Sequence, residues 1–453
     1  MSGSTDRQFS SGPEKGPIRI LHVLGVLNMG GAESRIMDLY RAIDRDQVQF
    51  DFLVHTDARP EADNSGAAGS SAVAAGAVPS SEALMAARKP DYYDEEVRSL
   101  GGRIYALPRY RVKTAGLYRK AVERFFAEHS GWAAIEGHMT SLASIYLPIA
   151  KKSGIPHTIA HVRSGGVSGG LKGLATKWMR RDLPQKADIL LTCSMDAGVA
   201  VYGKKAERDG RIRVVPNAID TEAFRFSAQD RQQIRTELGI PEDVFVIGHV
   251  GRFDPMKNHA FLAEVLRALC GTGSDKGNGA GGTAGDSAGS TAGFALLLVG
   301  SGKLEEDIKR QLAEAGLSDR AYFAGQCSRE RTAKMYRAMD LFCLPSLYEG
   351  LPGTVVEAQA SGLPCLVSDR VTREVCLTPD TKQLPVGSGN ESVWAREIRG
   401  TAEKSDAGHS AGNAGPGSDR AARSEEFRAL LEKAGYDIHT QAQQMLQFYL
   451  DIK

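Results

Sequence analysis

The chain has 453 residues, room for two full-sized domains at about 100–200 residues each, and its 42% hydrophobic and 25% charged content is that of an ordinary globular protein. Lys and Arg total 56 against 55 Asp and Glu, and a net charge of +1 excludes the global positive field expected of a nucleic-acid binder. The longest apolar run, 294–299, is far shorter than the about 20 residues of a spanning helix. The first 17 residues are polar, without the apolar core of a secretory signal, and the six cysteines form no C-x-x-C pair, so the expectation is an intracellular chain with reduced thiols.

An apolar run at 18–26 predicts a strand, the spacing of Ile36, Leu39, Tyr40 and Ile43 a helix, and 50–54 a second strand. Residues 61–87, within an insertion at 58–89, are mostly Ala, Ser and Gly and offer little to a core. Strands at 103–107, 133–136, 157–161, 188–193 and 212–215 follow, with helical patterns such as 118–127 and 142–151 between them. After a polar joint at 216–243, a second series of strands falls at 244–250, 294–299, 321–323, 341–344 and 364–367. The stretches 271–293, with nine glycines, and 401–424, rich in Gly, Ala, Ser and Asp, predict flexible surface insertions. The segment 425–453 predicts one or two amphipathic helices carrying Phe427, Leu430, Leu431, Met445, Phe448 and Tyr449. The fold class is therefore α/β: two doubly wound, Rossmann-like domains at 18–215 and 216–424, with 425–453 able to pack back on the first. Two such sheets imply a ligand cleft at their strand C-terminal ends.

Strand 18–26 runs into Gly30-Gly31 where the first helix begins, which bares backbone N–H groups to an anion or simply makes a tight turn. The G-x-G-x-x-G spacing of a dinucleotide site is absent there, and Glu305 breaks it at Gly300-Ser301-Gly302, which reads as a turn facing the cleft. Strand 244–250 ends in Gly251-Arg252-Phe253-Asp254-Pro255-Met256-Lys257, two cations flanking a helix N-terminus, a pattern suited to a diphosphate leaving group. Strand 341–344 is followed by Glu349 and, eight positions on, Glu357 across the turn Gly350-Leu351-Pro352-Gly353. Glu349 could accept from sugar hydroxyls and Glu357 could grip a ribose diol; alone, each would be read as a surface or helix acid. His138 follows strand 133–136 and could bond a sugar hydroxyl. Asp44-Arg45-Asp46 has the D-x-D form of metal–nucleotide sites but lies at the far end of the first helix, where it reads as solvated.

Gly30-Gly31, His138, Arg252, Lys257 and the Glu349/Glu357 pair together resemble the retaining glycosyltransferases of family 4, with GT-B architecture. The resemblance covers about 18–386 outside the insertions and resumes at 436–449. Segments 50–55, 93–107, 159–161 and 215–224 resemble the bacterial exopolysaccharide and capsule enzymes of that family. It implies that Arg252 and Lys257 hold the donor diphosphate, Gly30 and Gly31 approach it, Glu357 binds ribose, Glu349 the transferred sugar and His138 a sugar hydroxyl. Gln326 and Cys327 would meet the base, and Gly350, Leu351 and Pro352 would shape the donor loop. It further implies a nucleoside-diphosphate sugar donor (UDP-sugar), a lipid-linked glycan acceptor, no metal or other cofactor, no nucleic acid, and a place in the cytoplasm at the inner membrane face. No residue stands out as a general base. One departure is Ala218 in Asn217-Ala218-Ile219-Asp220, where the family usually has Gly. The segment 171–186 carries Lys172, Lys177, Arg180, Arg181 and Lys186 beside Leu174 and Trp178, a pattern for anionic lipid or for a plain solvated helix face. The alternatives are a sugar-nucleotide epimerase of the same architecture, a non-catalytic sugar-nucleotide-binding or scaffold protein, and a dehydrogenase, which the glycine loops disfavour.

Overall fold

The computed structural model describes residues 16–59, 78–163, 170–271, 293–410 and 418–452. Its first sheet contains β1 (Ile18–Val23), β2 (Val48–Thr56), β3 (Ile104–Pro108), β4 (Ala134–Gly137), β5 (His157–Val162), β6 (Ile189–Thr192) and β7 (Ile212–Val214), in the order 3-2-1-4-5-6-7. The pairings from β3 through β5 are parallel. The second sheet contains β8 (Phe245–Val250), β9 (Phe294–Val299), β10 (Ala321–Gly325), β11 (Leu341–Leu344), β12 (Cys365–Ser368) and β13 (Thr381–Leu384), in the order 10-9-8-11-12-13, parallel throughout. Both sheets reverse their winding once, between β1 and β4 and between β8 and β11. Those reversals are the switch points at which doubly wound sheets bind ligands.

The strands read as near-continuous apolar runs because both faces are covered by helices. In the second sheet, Leu296, Leu298 and Ile247 pack with Phe261, Leu262, Val265 and Leu266 of the helix His259–Leu269 and with Trp394 and Ile398 of the helix Glu391–Ser410. Each fully buried large side chain of this set contributes about 1.5–3 kcal/mol. By its contacts the chain divides into two compact units, Met1–His161 with Trp178–Leu190 and Ala442–Lys453, and Val162–Lys177 with Leu191–Gln441.

Two of the three expected insertions are in part ordered. A helix at Ser81–Ala87 buries Leu84, with Ser80 capping the N–H of Ala83. The stretch 401–424 is largely helical, because Glu391–Ser410 extends into it and Ser418–Lys433 begins inside it. Ala, Glu, Lys and Arg are strong helix formers, so a composition that lacks bulky side chains still builds helices where a few residues dock. Residues 60–77, 272–292 and 411–417, the rest of the three insertions, lie outside the described residues. Strand β13 was not expected: only its Leu384 is a large apolar residue, and it pairs at the sheet edge with β12.

Candidate functional site

At the second switch point, β8 ends at Val250 and leads into the Gly251–Lys257 loop, and β11 ends at Leu344 and leads into the Glu349 loop. The loops are tied by Leu347 N–H donating to Met256 O at 2.9 Å and Asn258 Nδ2 to Pro345 O at 3.2 Å. Asn258 takes φ 57° as the N-cap of the following helix, a left-handed turn that the short polar side chain tolerates. Lys257 Nζ lies 2.5 Å from Glu349 Oε1, with 18% and 19% of their side chains exposed, and Ser346 Oγ donates to the same carboxylate oxygen at 3.2 Å. Arg252 is exposed on the first loop.

A third loop supports the first from behind. Phe253 N–H donates to Ser301 O at 3.1 Å, and a Cβ on Gly302 would come within 2.5 Å of Phe253 O. A Cβ on Gly300, at φ 136°, would land on the carbonyl of Gly251. The Gly300-Ser301-Gly302 turn therefore has glycines where the backbone of the Arg252 loop lies against it.

Gly350 is half-buried, and Leu351 and Pro352 are buried ahead of the helix Gly353–Ala360. Glu357, in that helix, is buried, and its Oε2 accepts from Tyr336 OH at 2.9 Å. Gln326 is exposed beyond β10; Cys327 beside it is half-buried, and burial pushes its thiol pKa up, so it stays protonated. A cavity of about 200 Å³ is lined by Tyr348, Glu349, Gly350, Arg370, Thr372 and Asp196, among others. Thr372 Oγ1 donates to Asp196 at 2.8 Å, and Glu374 accepts from the N–H groups of Met195 and Asp196 at the start of the helix Met195–Arg208.

At the first switch point, Gly30 is the N-cap of the helix Gly31–Ala42 and supplies no side-chain bond, and Gly31 is exposed. The loop before it is clamped from the segment that follows the first insertion. Asp91 accepts from Leu27 N–H and from Asn28 Nδ2, both at 2.9 Å, and Tyr93 N–H donates to Leu27 O at 2.9 Å. Tyr93 OH and Ser34 Oγ are 3.0 Å apart. His138 stands just past β4 with its side chain only 2% exposed; its Nε2 is 3.1 Å from His22 Nδ1 and 3.6 Å from Glu136 Oε1. His161 Nδ1 is 2.6 Å from the same Oε1, and Tyr449 OH donates to Glu136 Oε2 at 2.7 Å. Burial alone would raise the Glu136 pKa, but the His161 hydrogen bond and the His22, His161 and His138 imidazoles hold it well below the usual carboxylate range.

The ligand-type atoms of His22, Glu136 and His138 lie within 4.8 Å of one another, a spacing at which three side chains can also hold a small cation. Hydrogen-bond distances inside the cluster and donors on both carboxylate oxygens fit a proton-sharing network. Motif spacing does not pick out Glu136, His22 or His161, although each is an ionisable residue inside an apolar strand, the one signal that could have found them. Asp91 and Tyr336 had no sequence signal. Asp44 closes a local turn, accepting from Asp46 N–H at 3.0 Å and Gln47 Nε2 at 2.7 Å. On the helix Gly170–Arg180, Leu174 and Trp178 are 64% and 76% exposed and Lys177 is exposed, as is Arg181 just beyond, whereas Arg180 is buried and leaves the predicted basic face.

Residues 230–416 match the family model described as glycosyl transferases group 1, and residues 30–218 match the glycosyl transferase 4-like domain. EpsF of Bacillus subtilis (strain 168), assigned to the glycosyltransferases, is 31% identical over 388 residues, spanning 84% of this chain and 86% of that protein. The UDP-Gal:alpha-D-GlcNAc-diphosphoundecaprenol alpha-1,3-galactosyltransferase of Escherichia coli is 31% identical over 160 residues, 35% of this chain and 37% of that one. Anabaena HepE in complex with UDP-glucose superposes with a TM-score of 0.66 at 16% identity, over 96% of this chain and all of that one. WaaG, a glycosyltransferase involved in lipopolysaccharide biosynthesis, gives 0.62 at 13% identity, over 95% and 99%. With two parallel, singly reversed sheets and a relative alike over most of both lengths, the chain belongs to the group 1, or family 4, glycosyltransferases of GT-B fold.

Proposed function

We propose that the chain is a retaining glycosyltransferase that moves a sugar from a UDP-sugar to a lipid-linked glycan acceptor in exopolysaccharide synthesis, working at the inner face of the cell membrane. The observation that carries this reading is the Lys257–Glu349 ion pair at the β8/β11 switch point, with Arg252 on the same loop as Lys257. Arg252 and Lys257 meet the diphosphate, Glu349 the sugar hydroxyls and Glu357 the ribose, while Gln326 and Cys327 border the base. A fixed cation is worth most where charge develops in the transition state, here on the departing diphosphate. The C1–O bond to the diphosphate breaks, and the acceptor oxygen bonds to C1 on the face the diphosphate leaves. The acceptor's proton passes to a departing phosphate oxygen, so no side-chain base and no metal is assigned. Gly30 and Gly31 bring backbone N–H groups toward the donor. His138 is given a sugar hydroxyl; its imidazole is enclosed, with 2% of the side chain exposed, which makes His138→Ala the decisive variant for that role.

Uridine as the base is supported by the UDP named for HepE and for the Escherichia coli relative, and a polyprenyl-linked acceptor by the name of the latter. Exposed Leu174 and Trp178, one helical turn apart beside Lys177 and Arg181, suit the boundary of an anionic membrane.

The test is thermal stability of the purified protein with UDP, GDP, ADP and NAD, followed by transfer of labelled sugar from the donor whose nucleotide binds. UDP alone should raise the midpoint, as any ligand of the folded state does. Transfer should then give the donor's anomeric configuration and persist in EDTA. A shift with NAD alone, or conversion of the UDP-sugar to its epimer without transfer, would overturn the reading.

A further inference from the structure

One carboxylate and three imidazoles are buried side by side in the first unit, and the reading above uses only His138. Register explains why they meet. His22 on β1 pairs with Glu136 on β4, and Glu136 with Ile159 on β5. Alternate strand residues share a face, so His138 and His161, each two residues further along, join His22 and Glu136 on one side of the sheet. The helix Ile438–Asp451 brings Tyr449 to the same place.

A buried carboxylate is stable only when its oxygens are hydrogen-bonded. Glu136 Oε2 takes the Tyr449 hydroxyl at 2.7 Å, and Oε1 takes His161 Nδ1–H at 2.6 Å. His22 Nδ1 and His138 Nε2 are 3.1 Å apart, a hydrogen-bond distance that requires one proton between two neutral imidazoles. Placed on His138 Nε2, it points at His22 Nδ1, and Nε2 itself lies 3.6 Å from anionic Glu136 Oε1. Placed on His22 Nδ1, it would leave a lone pair on His138 Nε2 facing that carboxylate. The first arrangement is favoured.

We propose that Glu136 is a positioning residue for glycosyl transfer: it holds the proton on Nε2 of His138, with Tyr449 and His161 anchoring Glu136 in turn. This rests on the reading that His138 meets the transferred sugar. With the proton on Nε2, His138 Nδ1 carries a lone pair, so any hydrogen bond made at that nitrogen is one it accepts. The residue that sets its polarity lies two positions before it on the strand, and the residue that anchors Glu136 lies at the far end of the chain.

The test uses protein labelled with ¹⁵N-histidine, the His138 signal being the one missing from His138→Ala. Wild type should show a protonated Nε2 and an unprotonated Nδ1 at His138. Glu136→Gln should lose that bias and lower kcat about tenfold to a hundredfold, with donor KM within about twofold, as expected when a reacting group is misplaced while substrate binding is untouched. If Glu136→Gln does not fold, Tyr449→Phe, which deletes one hydroxyl, should move the same signals and lower kcat about threefold to tenfold. A wild-type His138 protonated on Nδ1, or a variant with unchanged signals or unchanged kcat, would overturn the proposal. Full activity in His138→Ala would remove the sugar-contact role on which it rests, while the nitrogen signals alone still decide the tautomer.

Discussion

Lys257 Nζ and Glu349 Oε1 are 2.5 Å apart across the second switch point, so the cation assigned to the diphosphate and the carboxylate assigned to the sugar form one ion pair. Each sets the other's position, and removing either leaves a charge in a largely enclosed place. Lys257→Ala should weaken UDP binding about tenfold to a hundredfold, the scale of a charge-assisted hydrogen bond, and abolish transfer while the protein stays folded. Glu349→Gln should keep UDP affinity within a few fold yet lose turnover. Calorimetric titration with UDP beside a transfer assay checks both, and full turnover in either variant would refute the assignment.

Arg420 is the cation on which two helices end. It is buried and donates to the carbonyls of Tyr336, Arg337 and Met339 at the end of the helix Arg329–Ala338, and to Ser361 O after the helix Gly353–Ala360. Cations at helix C-termini are favourable, and Arg420 is buried, so its removal leaves those carbonyls without their donor. Arg420→Met should cost about 3–5 kcal/mol of unfolding free energy, the range for a broken buried charge network, read by urea denaturation.

Stability should fall on acidification from pH 6.5 to pH 4. Burial lowers the pKa of His55 and of His259 from 6.5 to about 4. Between those values the unfolded chain binds a proton at each that the folded chain refuses, so unfolding free energy decreases as pH falls, by at most about 3 kcal/mol per residue. His259, stacked on Phe253 with ring centroids 4.1 Å apart, offers the check: His259→Phe should flatten the slope by about one proton. An unchanged slope in urea titrations at pH 7, 5.5 and 4.5 would contradict this.

Asp91 should matter to activity more than its loop position suggests. Asp91→Ala removes the acceptor for Leu27 N–H and Asn28 Nδ2 and frees the chain leading to Gly30. The expected result is a kcat/KM reduced about tenfold with a modest fall in melting temperature, since three hydrogen bonds are lost, counting the one from Arg88 at 3.4 Å, each worth about 1 kcal/mol.

Both sheets were legible in the sequence because parallel strands covered on both faces print as apolar runs, as at 18–23 and 245–250, and the Glu349/Glu357 spacing marked its loop directly. Charged residues that dock against backbone left no such print. Arg420 and Ser424 sit in a stretch whose composition is that of a linker, yet Ser424 Oγ bridges Phe226 N–H and Ala360 O. Glu136 and His22 were visible as letters but were averaged into their strands; what brings them together is the lateral register of β1, β4 and β5, which no single stretch of chain contains.

The Gly300-Ser301-Gly302 turn has a consequence for anyone wishing to redirect this enzyme. Because it lies directly behind the Arg252 loop, a randomised library that includes positions 300 and 302 would spend most of its members on chains in which that loop, and with it the proposed diphosphate contact, is displaced. Diversity belongs instead at exposed Gln326 and at Tyr348 and Arg370 on the cavity wall, where side chains can change size without moving main chain.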